Sequence, residues 1–183
     1  KRFPDRFYDV GIAEQHAVTF CAGLAVGGMI PIFAVYSTFL QRGYDQLIHD
    51  VAIAGLHVIF CVDRAGLVGA DGETHQGLFD VAFFNTIPGF TVFSPSDFNE
   101  LHQCLQMVVG ISGPVVIRYP RGIQKINEQC DEKCRGSVLA IGYGRVGVNV
   151  LNASRGIAAT MKLIQIKPIE EEAIRRALHY QTI

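Results

Sequence analysis

The sequence predicts an α/β fold, doubly wound around a mainly parallel sheet, with part of a second, smaller α/β unit behind it. Two observations carry this. Short continuous apolar runs, as expected for strands covered on both faces, alternate with helix-length segments. The 183 residues are 49% hydrophobic and only 18% charged, too apolar for a disordered chain. Scaling of surface with mass buries roughly 70% of the unfolded surface, enough for one substantial core and a small second one.

Taken in order, residues 17–40 form a run of 24 residues without a charge, long enough to span a bilayer. Gly27, Gly28 and Pro31 divide it, so a buried helix, a turn and a buried strand at 30–36 are predicted instead. Residues 38–54 read as a helix and 57–62 (HVIFCV) as a strand. A strand at 91–93 (TVF) precedes a helix over 96–110, with Ser96 as N-cap and Asn99-Glu100 in its first turn. Residues 114–118 (PVVIR) form the next strand. Polar residues then crowd together, predicting a first unit at 1–122, a linker at 123–136 and a second unit at 137–183. That unit opens with a strand at 138–141 and closes with an amphipathic helix at 169–178.

Composition excludes several function classes. A net charge of -1 leaves no basic footprint for nucleic acid. Five cysteines, an odd number scattered along the chain, do not form a disulfide framework and point to a reducing compartment. Cys21, Cys61 and Cys104 lie in apolar segments and read as small hydrophobes, not nucleophiles. Cys130 and Cys134 have no second ligand pair at zinc-site spacing, so a loop with two free thiols is expected. No basic-then-apolar leader is expected at the start, and the opening at Lys1 without a Met predicts a piece of a longer protein.

Four segments are candidates for chemistry. Gly142-Tyr-Gly144-Arg-Val-Gly147 follows a strand and fits the G-x-G-x-x-G dinucleotide pattern, but the acidic ribose ligand is missing where Ile164-Gln165-Ile166 stands. A tight strand-to-helix turn is the preferred reading. Asp9 to His16 places Glu14 immediately before a helix that must be buried. A carboxyl there is either protonated, paired with a cation or bound to a ligand donor, unless it is an exposed helix cap. The third segment, Asp63 to Gly77, mixes glycines with ionisable side chains beyond a strand's carboxyl end, where open α/β sheets bind ligands; a mobile acidic loop is the alternative. In the fourth, Tyr36 to Asp45, aromatic rings beside Arg42 suit a planar heterocycle and an anion, although core packing explains Phe39 and Tyr44 almost as well.

Together, PDRFYDVGIAEQHAV, YSTFLQRGYDQLIHDV, DRAGLVGADGETHQG, PSDFNEL and RYPRG closely resemble the 1-deoxy-D-xylulose-5-phosphate synthases, thiamine-diphosphate enzymes of the transketolase superfamily. The resemblance runs from Phe3 to Gly122. It implies a pyrimidine-binding domain, with residues 137–183 as part of a transketolase C-terminal domain. The family's diphosphate-binding domain, which holds the magnesium ion, has no counterpart here, so this chain is expected to bind no metal itself and to be inactive alone. The linker before Val138 and the stretch from Ser154 to Ile157 are shorter than members usually show, leaving the second unit's topology open.

The resemblance also implies roles. Glu14 matches the glutamate that hydrogen-bonds N1′ of the cofactor's aminopyrimidine and supports its proton transfer. Ile12 matches the apolar wedge beneath the cofactor, and Phe39 the ring stacked on its pyrimidine. Tyr36, Arg42, Arg64 and Arg121 match substrate contacts, the arginines suiting a carboxylate or phosphate. Asp71 and His75 match groups that orient substrate or move protons. The implied reaction is decarboxylating condensation of pyruvate with glyceraldehyde 3-phosphate to 1-deoxy-D-xylulose 5-phosphate, opening non-mevalonate isoprenoid synthesis. A homodimer is implied, in bacterial cytoplasm or in a plastid, with neither nucleic acid nor membrane as partner. The alternatives are a transketolase-like or 2-oxoacid dehydrogenase β-type subunit and, in another class, a non-catalytic interaction module that has kept the fold.

Overall fold

The computed structural model describes residues 2–122 and 137–183. The predicted linker, with Cys130 and Cys134, lies outside the described residues. After a single helical turn at Pro4–Arg6, the chain forms α1 (Glu14–Val26) and β1 (Ile32–Tyr36). The 24-residue apolar run is thus split at Gly27-Gly28, where Gly28 takes φ +82°. Among the described residues no helix is long and apolar enough to cross a membrane.

The helix expected over 38–54 is present but irregular. It comprises α2 (Ser37–Leu40), a tight turn at Gln41–Gly43, α3 (Tyr44–Gln46) and a π-helical segment at Leu47–Ala52. Gly43 packs closely on α1: a Cβ there would stand 3.1 Å from Val18 Cγ2. Next come β2 (Ile59–Asp63), α4 (Asp80–Thr86), β3 (Thr91–Phe93), α5 (Phe98–Val108) and β4 (Val115–Arg118). The second unit contains β5 (Leu139–Tyr143), α6 (Gly144–Ala153), β6 (Ala159–Leu163), β7 (Gln165–Lys167) and α7 (Glu171–Ala177).

The main sheet has the order β1-β2-β4-β3-β7, its first four strands parallel and β7 antiparallel to β3. A separate parallel pair, β5-β6, wraps around α6 as a βαβ unit. Alternating side chains of the central strands separate two cores. Val58, Phe60 and Val62 pack with Val18, Leu40, Leu47, Phe84 and Phe90 on one face. Ile59, Cys61, Val115 and Ile117 pack with Cys104 and Val108 of α5 on the other, so the sheet is covered on both sides. Each fully buried Phe contributes about 1.5–3 kcal/mol through the apolar surface it removes from water.

Two expectations need correction. The strand predicted to be buried at 30–36 lies on the sheet edge, where Ile32 is 57% exposed, because only β2 pairs with it. The N-cap of α5 is Asp97 and not Ser96: the Asp97 carboxylate accepts the Glu100 N–H at 2.8 Å. Glu100 Oε2 in turn accepts Ser96 N–H at 2.8 Å and Ser96 Oγ–H at 2.7 Å, so the Glu100 side chain reaches back to the residue before the cap.

The segment after residue 137 is tied to the main sheet by more than β7. Lys167 Nζ donates to the carbonyls of Phe84 (2.6 Å), Asn85 (3.2 Å) and Ile87 (2.5 Å), closing the C-terminal end of α4. Lys162 of β6 forms an ion pair with Glu100 of α5.

Candidate active site

The carboxyl ends of β1, β2 and β4 bring the site together. In register, Tyr36 lies beside Asp63, and Val62 beside Arg118. The connection from β2 passes over β4 to reach β3, and α5 returns on the opposite face. Such a change in winding opens a crevice above the strand ends.

Glu14 opens α1 and its side chain is 9% exposed. Burial of a carboxylate demands a partner, and Arg42 Nη1 supplies one, donating to Glu14 Oε1 at 3.0 Å. The exposed-cap alternative is therefore set aside. The Arg42 guanidinium also lies over the Phe39 ring, 5.2 Å from its centroid. Phe39 stacks on Tyr36, with centroids 5.4 Å apart and planes 12° from parallel. The His75 ring meets Phe39 at 5.1 Å and Tyr36 at 6.3 Å, edge-on to both. On the far side of this group, Arg64 lies 3.8 Å from the Tyr36 centroid.

Asp71 gathers the remaining charges. Its Oδ2 accepts from Arg64 Nε at 3.1 Å, and its Oδ1 pairs with Arg121 Nη1. Arg64 also pairs with Asp63. An unbroken series of contacts thus runs Glu14, Arg42, Phe39, Tyr36, Arg64, Asp71, Arg121, with His75 branching from the rings. Of the residues singled out in the sequence, only Ile12 stands apart, 92% exposed and two positions before Glu14.

Within the third segment, residues 64–77 form a closed loop. Gly66 and Gly77 exchange N–H···O hydrogen bonds of 2.7 and 2.9 Å across its neck. Gln76 fills the interior: its Oε1 accepts Val68 N–H at 2.7 Å, and its Nε2 donates to the carbonyls of Val68 (2.9 Å) and Gly72 (2.7 Å). This bonding explains why the acidic, glycine-rich segment holds a defined shape. Asp63 and Gln76 lie in the segment singled out but were given no role of their own. Asp63 had a signal, its position beside Arg64, whereas nothing in the sequence indicates that Gln76 turns inward.

Behind the site, Arg118 holds Asp80 through two hydrogen bonds, Nε to Oδ2 at 2.7 Å and Nη2 to Oδ1 at 3.2 Å. Its Nη1 donates to Ser94 Oγ at 3.0 Å. Arg145 of α6 donates to the Arg121 carbonyl at 3.1 Å, so the second unit touches the turn that carries Arg121. Burial pushes the thiols of Cys21, Cys61 and Cys104 up to about 11, leaving them protonated at neutral pH, as the small-hydrophobe reading expects.

The site residues suit an aminopyrimidine group. A buried carboxylate engaged at one oxygen offers the other to a ring nitrogen, an aromatic ring lies close to its arginine partner, and an aliphatic side chain stands free two residues away.

Comparison with known proteins agrees with this fold. The chain is 62% identical over 122 residues to the 1-deoxy-D-xylulose-5-phosphate synthase of Magnetococcus marinus, covering 67% of this chain and 20% of that protein. It is 50% identical over 182 residues to the synthase of the same name from Brevibacillus brevis, covering 97% of this chain and 28% of that one. The chain therefore spans less than a third of the length of these relatives. Among solved structures, a split-gene transketolase described as an inactive β4 tetramer matches 97% of this chain and 64% of its own, at TM-score 0.79 and 27% identity. Campylobacter jejuni transketolase shares the fold over 94% of this chain and 31% of its own, at TM-score 0.77 and 18% identity. The model of the transketolase pyrimidine-binding domain matches residues 1–125, and the chain belongs to that family.

Proposed function

We propose that this chain supplies the pyrimidine-side wall of a thiamine-diphosphate site in an enzyme that condenses pyruvate with glyceraldehyde 3-phosphate, releasing carbon dioxide and 1-deoxy-D-xylulose 5-phosphate. The observation that carries the reading is Glu14, a buried carboxylate held by Arg42 at the start of α1. The high identity to proteins named for that activity supports it.

Thiamine diphosphate, when bound, supplies a carbon centre that takes up the electron pair left as carbon dioxide departs. The chain's own residues then have separable tasks. Glu14 shares a proton with ring nitrogen N1′, and burial strengthens that hydrogen bond. Phe39 gives the pyrimidine an apolar face, while Ile12 props the cofactor from below. Arg42, Arg64 and Arg121, with Tyr36, bind the carboxylate of one substrate and the phosphate of the other. Asp71 keeps Arg64 and Arg121 together before substrate arrives, and His75, anchored against two rings, is placed to move a proton.

Magnesium and the diphosphate are assigned to a domain outside this chain, and a homodimer in the bacterial cytoplasm is the expected setting. Here the transketolase relative described as inactive supports the expectation that this chain is inactive alone. That relative also favours one second reading, a transketolase-type subunit. Offering the complete enzyme pyruvate or a ketose as donor, with glyceraldehyde 3-phosphate, separates the two. The test of Glu14 is Glu14→Gln in the complete enzyme, for which kcat falls by about 10²-fold or more. Unchanged turnover would overturn the role assigned to Glu14.

A further inference from the structure

Ser37 carries a polar atom that its surroundings do not satisfy. The residue is 1% exposed, and its Oγ has no hydrogen-bond partner. An unpaired buried hydroxyl is less favourable than a methyl group in the same place, so the hydroxyl itself does not explain the residue. Its size and position do. Ser37 opens α2 directly after Tyr36, and Gly77 lies against it. A Cβ added to Gly77 would stand 2.2 Å from the Arg64 carbonyl oxygen, within the loop, and 2.8 Å from both Ser37 Cβ and Ser37 Oγ, across to the β1–α2 turn. Gly77 is outside the left-handed region, so space and not backbone conformation requires a glycine.

This contact is where the loop of residues 64–77 meets the β1–α2 turn. Gly77 closes the loop's neck with Gly66, and a second tie lies nearby, Thr38 Oγ1 donating to the Thr74 carbonyl at 3.2 Å. Tyr36 and Phe39 flank Ser37 on the helical side, while Arg64, Asp71 and His75 are carried by the loop. The His75 ring contacts and the place of Arg64 over Tyr36 depend on how closely the two parts approach. Arg64 is also the one non-glycine among the described residues with positive φ, at 57°, a conformation that persists only where neighbours hold it.

We propose that Ser37 and Gly77 form a keyed joint, a pair of positioning residues that set the height of the 64–77 loop over the β1–α2 turn and thereby align Asp71 and His75 with Tyr36 and Phe39. The proposal rests on the functional reading above for its kinetic consequence, though not for its geometry. A single added methyl group at the joint lifts the loop, turns Arg64 and separates groups that must act together. Glu14, Ile12 and Phe39, the three residues assigned to the cofactor, all lie outside the loop that moves, so cofactor binding is spared.

The experiment uses the complete enzyme and three variants. Gly77→Ala and Ser37→Thr each add one methyl group, and both should lower kcat/KM at least tenfold while the dissociation constant for thiamine diphosphate stays within twofold. Ser37→Ala removes the hydroxyl and adds nothing, and should retain kcat/KM within threefold. A purely structural role would instead weaken cofactor binding along with turnover. Should Gly77→Ala fail to fold, Ser37→Thr carries the same test from the other side of the contact. Equal losses in Ser37→Ala and Ser37→Thr, or normal kinetics in both methyl-adding variants, would overturn the joint. Hydrogen exchange at the Gly66 and Gly77 amides provides a readout that needs no activity: it should speed up in Ser37→Thr and not in Ser37→Ala. If the unmutated enzyme forms no product while the variants show this exchange pattern, the functional reading alone fails; if it forms product while exchange is the same in all variants, the joint fails.

Discussion

Arg42 and Glu14, 28 positions apart, meet in a hydrogen-bonded ion pair of 3.0 Å whose two ends differ sharply in burial, the arginine side chain being 51% exposed and the glutamate 9%. The arginine can reach solvent, so screening limits the pair to about 1 kcal/mol of stability. Its larger effect is on the site, because removing the cation takes away the partner that fixes the Glu14 carboxylate and the contact that holds the Phe39 ring. Arg42→Met should therefore lower Tm by only about 2–4 °C yet weaken thiamine diphosphate binding in the complete enzyme by about tenfold, a difference of ~1.4 kcal/mol. Calorimetric titration beside a thermal melt checks both. A large fall in Tm with unchanged cofactor affinity would show that the pair serves folding alone.

The pair behind the site should behave in the opposite way. Asp80 is 1% exposed and Arg118 11%, and the contact is two-pronged. Arg118→Met leaves a buried aspartate without its cation and should cost about 3–5 kcal/mol in urea unfolding. Adding Asp80→Leu to Arg118→Met should recover part of that loss, because the stranded charge is then removed. A double variant no more stable than the single one would mean that the pair's geometry, together with the Ser94 contact, matters more than desolvation.

How much could be read from the sequence follows from where each signal originates. β2 and β4 were legible because central parallel strands are apolar without interruption, and Val58 to Val62 and Val115 to Ile117 are buried throughout. β6 and β7 were not, because ATMKL and QIK have no such run and gain their place through pairing with β5 and β3. Glu14 was legible as a carboxylate entering a buried helix, and Arg42 as a cation in an aromatic segment. Their meeting was not, since it depends on how α1 packs against the helical stretch from Ser37 to Ala52. Ser37 and Gly77 gave no signal at all: a close approach between two parts of the chain becomes visible only once both are placed.

The buried thiols predict an alkaline response. Burial raises Cys21, Cys61 and Cys104 from 9.0 to about 11, so the folded chain keeps protons that the unfolded chain releases between those values. The stabilisation is complete below pH 9 and is lost as pH rises through about 11, with a limiting slope of about 1.4 kcal/mol per pH unit for each thiol. Urea midpoints should be level from pH 7 to 8.5 and fall beyond 9. Alkylation mapped by mass spectrometry should find these three sites protected at pH 8 in the folded protein. Rapid labelling of any of them there would contradict its burial.

The glycines of Gly142-Tyr-Gly144-Arg-Val-Gly147 also have a structural use that needs no nucleotide. A Cβ on Gly147 would lie 2.8 Å from the Gly142 carbonyl carbon, and one on Gly142 would lie 2.9 Å from the Gly147 oxygen, so α6 packs on β5 with no room for a side chain at either position. Gly144, at φ +59°, starts the helix, and a Cβ there would meet Ser94 Oγ at 2.9 Å. Helix, turn and strand thus reproduce the close packing of a dinucleotide fingerprint, while Leu163 ends the second strand and Ile164 follows it, where a ribose needs a carboxylate. Gly147→Ala should destabilise the β5–α6–β6 unit by about 1–3 kcal/mol through overpacking. Titration of the unmutated protein with NADH, followed by fluorescence, should show no binding tighter than about 1 mM. Tighter binding, abolished by Gly147→Ala in protein that remains folded, would restore the nucleotide reading of this turn.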